Sequence, residues 1–327
     1  LKLYHPAAIT AEQALDYAKQ CESAALNYDK RITNSEGGSF STHEQYYVYG
    51  NSDGFLAAYP SSRYSVSCSV IGQVGDSMQR DYDYAVARDF NDLLDLTQIG
   101  TNAAAKTIAR LGARKIATCK APVLLEPKMA SSFWHTLLAA ISGGNLYRKS
   151  SFLLDCLHKD ILPKFINIKE YPHLPKGLSS APFDHEGVAT QEKNIITDGV
   201  LSTYLLSSYS ARRLGLQTTG NAGGAHNCTL TPGTADQAQL IKQMHTGLIV
   251  TELLGSGVNL VTGDYSQGAA GFWVENGSLQ YPVEEITIAG NLRDMYANLV
   301  AVGNDLDHRY SVITGSVLLE AMTIAGN

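Results

Sequence analysis

The chain is poor in cysteine, and its thiols are not grouped. Cys21, Cys68, Cys119, Cys156 and Cys228 are scattered, and no two have C-x-x-C spacing. That argues against a structural zinc knuckle and predicts buried or reduced thiols in a cytoplasmic protein. Basic charge is not in excess either. A net charge of −6 and a pI near 5.8 leave no electrostatic footprint for nucleic acid. Long apolar runs are missing: Gly247 to Val250 and Val258 to Val261 are far too short to span a bilayer. The one G-x-S-x-G string, Gly50 to Gly54, reads as a turn between strands and not as the strand-to-helix elbow of a serine hydrolase. The glycines at Gly220 to Gly224, Gly255 to Gly257 and Gly268 to Gly271 precede no Lys-Ser or Lys-Thr and open no helix after a strand. They read as turn and bulge residues rather than phosphate cradles. No basic and apolar leader opens the chain, and its first residue is Leu1, so we expect an upstream portion to precede it.

What is present suits a protein of strands and turns. The chain has 327 residues with 29 glycines and 18 tyrosines, and its length favours two domains. Thr10-Ala11-Glu12-Gln13 is a capping box, predicting a helix over about 11–28. A meander follows, with a turn at Gly50 to Gly54. Tyr64, Val66, Cys68 and Val70 then alternate as in a half-buried strand. A helix from about Asp92 to Leu111 should end on Gly112. Residues 1–112 thus read as a mixed α+β domain. Residues 113–327 read as strand-rich and barrel-like, with strands at about 187–190, 199–208, 258–262, 271–274 and 284–289. Asn276-Gly277 marks a hairpin, and helices are expected at about 151–160, 234–247 and 291–299. The class predicted is α+β.

One helix bears on chemistry. Trp134, Leu137, Leu138 and Ile141 recur at helical spacing between Ser132 and the pair Gly143-Gly144, predicting a capped helix. A zinc hydrolase would follow His135 with a glutamate and a second histidine on that helix. Thr136 and Ala140 stand there instead. Asp184, His185 and Glu186 form the other polar cluster, for which we expect a structural role, with Arg212 as a partner of the carboxylates.

Several segments are more specific: Phe183 to Val188, Asp198 to Leu201, Ser207 to Gly215, Thr218 to Ala222, Asn227 to Gly233, Phe272 to Gly277 and Gly303 to Leu306. Together they resemble the TldD/PmbA family of peptidases, and its PmbA (TldE) branch more than its TldD branch. The likeness is dense from about residue 115 onward, and residues 1–112 resemble the family's central domain. The resemblance implies a further N-terminal domain in the usual family member. In the TldD branch it implies zinc held by H-E-x-x-x-H on a helix and by a cysteine near the C-terminus. The first histidine falls on His135, the glutamate on Thr136, the second histidine on Ala140, and the cysteine at or beside Thr314.

The expectation is therefore a chain with no catalytic, cofactor or metal residues of its own, His135, Ala140 and Thr314 being vestigial ligand positions and Thr136 a lost general base. The resemblance implies a TldD-type metallopeptidase subunit as partner, carrying the zinc. It also implies action on extended, unfolded peptides in proteolysis and peptide maturation. We expect no nucleic-acid or membrane partner, and a homodimer when the chain is alone. Two other readings stay open at this point: an atypical metalloprotease in its own right, and a non-enzymatic peptide-binding adaptor.

Overall fold

The computed structural model describes residues 1–93 and 95–326. Leu94, inside the span expected to be helical from Asp92, and Asn327 lie outside the described residues. One compact unit comprises Leu1–Ala113 with Pro175–Leu178. Its first helix, α1 (Ala11–Leu26), begins on the expected capping box: Thr10 Oγ1 accepts the Gln13 amide, and the Gln13 side chain accepts the Thr10 amide. Three long antiparallel strands follow in the order β1 (Ile32–Gly50), β2 (Leu56–Val74) and β3 (Ser77–Ala87). The alternation along β2 buries Tyr64, Val66, Cys68 and Val70. Helix α2 (Leu96–Ala109) is N-capped by Asp95 and shares one core with α1 and the sheet. At Gly100 the two helices run too close for a side chain: a Cβ would strike the Cys21 carbonyl and lie 3.1 Å from Ala24 Cβ. Arg110 caps α2, so the helix ends before Gly112, whose φ of 75° turns the chain away.

The second unit runs over Arg114–Leu174 and from Ser179 onward. In chain order it contains β4 (Cys119–Leu125), α3 (Pro127–Ala140), α4 (Gly143–Tyr147), β5 (Ile168–Glu170), β6 (Lys193–Thr197) and β7 (Val200–Leu201). Next come α5 (Ser208–Leu214), β8 (Cys228–Leu230), α6 (Gln237–Met244), β9 (Gly247–Leu254), β10 (Asp264–Glu275) and β11 (Ser278–Asn291). The last are α7 (Leu292–Ala297), β12 (Leu299–Val302), β13 (Val312–Ile313) and β14 (Val317–Ala325). Strands β11, β10, β9, β4 and β14 pair in succession, and β14 returns to β11 through Thr287↔Ala325 and Ile288↔Ile324, closing a barrel. A second sheet has the order β13-β8-β5-β6-β7. The α+β class with a barrel-like, strand-rich region is what the chain adopts. Asn276 and Gly277, at φ 53° and 68°, turn β10 into β11 as their sequence predicts.

Several expected elements do not form. The span 151–160 is a series of turns, broken by positive φ at Asp155 and His158. Its apolar spacing belongs to an irregular segment whose Phe152 and Leu153 are nevertheless in the core. Of 199–208 only Val200–Leu201 is strand, because Ser207 and Ser210 form a capping box that starts α5. The spans 187–190 and 258–262 contain only isolated bridges, at Ala189 and Val258. Among the described residues no helix is long and apolar enough to cross a membrane.

Candidate functional site

Helix α3 starts earlier than expected, at Pro127 in its first turn, so Ser131 and Ser132 lie inside it rather than at its cap. It buries Met129, Phe133, Trp134 and Leu137. Tyr296 of α7 stacks on Phe133 and Trp134 with ring centroids 4.4 and 5.9 Å apart, and its hydroxyl donates to the Phe133 carbonyl at 2.8 Å. These rings set the rotation of the helix and leave His135 on its exposed side. His135 Nδ1 lies 2.8 Å from the Ser131 carbonyl. A carbonyl only accepts, so Nδ1 carries the proton and Nε2 accepts from the Ser311 hydroxyl at 3.0 Å.

The other three positions of the resemblance do not join it. Thr136 is half-buried and donates back along its helix to the Ser132 carbonyl at 3.2 Å. Ala140 and Thr314 are fully buried, and Thr314 Oγ1 donates to the Gly315 carbonyl at 2.9 Å. Only His135 of the four lines the neighbouring cleft, a space of about 510 Å³ to which Ser142, Ser207, Asn221, His226 and Ser311 also contribute. Among the described residues no group of three or more His, Cys, Asp or Glu side chains is placed to hold a metal ion.

Behind the cleft lies a network that the sequence did not single out. The register of the second sheet sets Glu170 of β5 opposite Lys193 of β6 and Cys228 of β8. The Glu170 side chain is fully buried. Its Oε1 accepts from the His226 amide at 2.6 Å, from His226 Nδ1 at 3.0 Å and from the Asn221 amide side chain at 2.8 Å. Lys193 Nζ lies 2.8 Å from its Oε2 and also donates to Asn221 Oδ1 at 3.0 Å. Burial pushes the Glu170 carboxyl up, but the bond from His226 and the charge of Lys193 outweigh it and hold the group below the usual range. Burial pushes the neighbouring Cys228 thiol well up, so it is an unreactive filler of the core.

Asp184 has the structural role expected, with different partners. Its carboxylate accepts the backbone amides of Glu186, Val188 and Ala222 at 2.9, 3.0 and 2.9 Å; Arg212 is not among them. The Asp184 loop thereby grips the Asn221–Ala225 side of the cleft. Glu186 accepts the Ser208 amide at 2.7 Å, at the start of α5. Glycine is required at Gly223, where φ is +97° and a Cβ would press on the His185 ring. No local motif could have revealed the Glu170 network, because its hydrogen bonds span 23 to 56 residues.

A family model described as the PmbA/TldA metallopeptidase C-terminal domain matches residues 118–326, and one described as the central domain matches residues 4–111. The chain is 52% identical over 326 residues to Metalloprotease PmbA of Escherichia coli O157:H7, covering 100% of this chain and 72% of that protein. A solved structure from Bacteroides thetaiotaomicron, described as a candidate modulator of DNA gyrase, superposes with a TM-score of 0.94 at 31% identity, covering 100% of this chain and 74% of that one. TldE from Thermococcus kodakarensis shares the fold, with a TM-score of 0.83 at 22% identity over 100% of this chain and 78% of its own.

Proposed function

The chain belongs to the PmbA/TldD metallopeptidase family, and on that premise we propose that it is the PmbA (TldE)-type subunit of a two-chain peptidase whose zinc is held by a TldD-type partner. The residues of this chain do not fit the metal. A catalytic zinc takes three protein donors and leaves one position open. Here His135 supplies one imidazole, already bonded through both ring nitrogens, Ala140 supplies nothing, and Thr314 is sealed in the core. Thr136 carries no charge with which to take a proton from water. The observation that carries the reading is the burial of Ala140 and Thr314: the place of two ligands is core.

In this reading the chain contributes binding rather than bond cleavage. Strand β13 is an edge of its sheet, and its first residue, Val312, and the preceding Ser311 line the cleft. An extended, unfolded peptide adds to such an edge by backbone hydrogen bonds that tolerate many sequences. All five cysteines are free, which supports a reducing, cytoplasmic setting.

The test is to purify the chain, a TldD-type protein and the pair, and to measure zinc content and cleavage of an unfolded peptide in each. The expected result is a stable pair with zinc and activity, and neither in this chain alone. Stoichiometric zinc in the isolated chain, lost together with peptidase activity on His135→Ala, would overturn the reading.

A further inference from the structure

We propose that the cleft beside His135 is a carboxylate-binding pocket, in which His226 and Ser142 hold the anionic group of a peptide. This rests on the reading of the chain as a peptide-binding subunit and names the group it grips. The volume, about 510 Å³, is that of a small-ligand site. Among the described residues its lining has no Asp, Glu, Lys or Arg, and its titratable side chains are His135 and His226. His135 is spent on Ser131 and Ser311. His226 is not. It is only 9% exposed, its Nδ1 is fixed on Glu170, and its Nε2 has no partner among the described residues. The Ser142 side chain does not cap α4, and its hydroxyl is likewise without a partner there.

The charge behind the ring selects the ligand. Glu170 and Lys193 cancel each other at 2.8 Å. In the proposed complex the ligand acid's proton sits on His226 Nε2, giving an imidazolium–carboxylate contact that the Glu170 carboxylate on Nδ1 supports, with no acid in the lining to compete for it. A cationic group would meet Lys193 behind the ring and no carboxylate in front. A phosphate would want the arginine or lysine clamp that the lining lacks. A carboxylate needs one charged donor and one hydroxyl, which His226 and Ser142 supply. The carboxylate could be a peptide's C-terminus or an aspartate or glutamate side chain.

The experiment is calorimetric titration of the isolated chain, without zinc or partner, using tetra-alanine as free acid, tetra-alanine amide, and Ala-Ala-Ala-Glu amide. The free acid or the glutamate peptide should bind about tenfold or more tighter than tetra-alanine amide; whichever does so identifies the source. His226→Gln and Ser142→Ala should each shrink the difference. Because His226→Gln could disturb folding through Glu170, the ring ¹⁵N spectrum of the unsubstituted protein is the second readout: the His226 Nε2 resonance should move with the acid and not with the amide. Equal binding of all three peptides, or a ring resonance indifferent to the acid, overturns the pocket. Partner capture without acid preference removes the pocket alone, whereas acid binding without capture of a zinc-bearing partner removes the two-chain reading alone.

Discussion

Glu170 takes both the backbone amide and the ring Nδ1 of His226 on a single carboxylate oxygen, at 2.6 and 3.0 Å, while Lys193 occupies the other oxygen. With Asn221 as a further donor, this fully buried carboxylate ties β5, β6 and the loop before β8 together at the back of the cleft. A buried ion pair need not add net stability, but removing one partner strands the other without water. Glu170→Ala should therefore lower the unfolding free energy of the second unit by about 3–5 kcal/mol. Glu170→Ala with Lys193→Met should recover much of that loss. Urea unfolding followed by a probe within that unit checks both.

The same group sets a pH dependence. Its folded carboxyl lies below its ordinary 4.5, so the unfolded state binds more protons as the pH falls through that region. The stabilisation is complete above 4.5 and is lost on acidification through the lower folded value. Comparing unfolding of the native chain and Glu170→Gln between pH 7 and pH 3 isolates this contribution. The native curve should fall more steeply below 4.5, and parallel curves would show that Glu170 is not the titrating group.

Asp184 grips the cleft from the other side through the amides of Glu186, Val188 and Ala222. Asp184→Ala leaves these donors without their acceptor, a loss of about 2–3 kcal/mol for the local structure. Hydrogen exchange at the Ala222 amide should accelerate by more than about tenfold, with α1 and α2 unaffected. An unchanged Ala222 amide would mean that the loop is held by other bonds.

How much of this was legible follows from how local each signal is. Thr10 and Gln13 satisfy each other within one helical turn, so the start of α1 could be read from four letters; Asn276-Gly277 is as local. Barrel closure pairs Thr287 with Ala325, and Glu170 meets His226 across 56 residues, so neither leaves a local trace. The apolar residues on either side of Asp155, from Phe152 to Leu157, misled because burial alone imposes apolarity on turns as well as on helices. The resemblance singled out His135, Ala140 and Thr314 together, but only the folded chain shows that His135 lines a cleft while Ala140 and Thr314 are buried outside its lining.

The cap at Thr10 gives a calibration in the other unit. Thr10→Ala removes the side-chain acceptor of the Gln13 amide and leaves the backbone amide that donates to the Gln13 side chain, at a cost of about 1 kcal/mol. The thermal midpoint of the first unit should drop by a few degrees, while the cleft side chains keep their ring resonances. A drop confined to the second unit would contradict the assignment of α1 to the core that contains Cys21 and Ala25.

The sharpest test of the proposed loss of the metal site is its attempted repair. On an ideal helix, residues five apart point about 140° from each other, so a histidine at 140 cannot share the cleft with His135 unless α3 bulges locally. Ala140 is fully buried, and its carbonyl accepts the Ser151 hydroxyl at 2.6 Å, which resists such a bulge. The triple change Thr136→Glu, Ala140→His and Thr314→Cys should therefore not acquire stoichiometric zinc. It should also lose stability, by about 1–3 kcal/mol for the overfilled core and by a further ~2 kcal/mol for an imidazole buried without a partner. Zinc per chain by elemental mass spectrometry and the unfolding midpoint read the two effects separately. One tightly bound zinc per chain would mean that only side chains separate this helix from a working metal site, whereas a metal-free, weakened protein places the loss in the helix backbone and the core built around it.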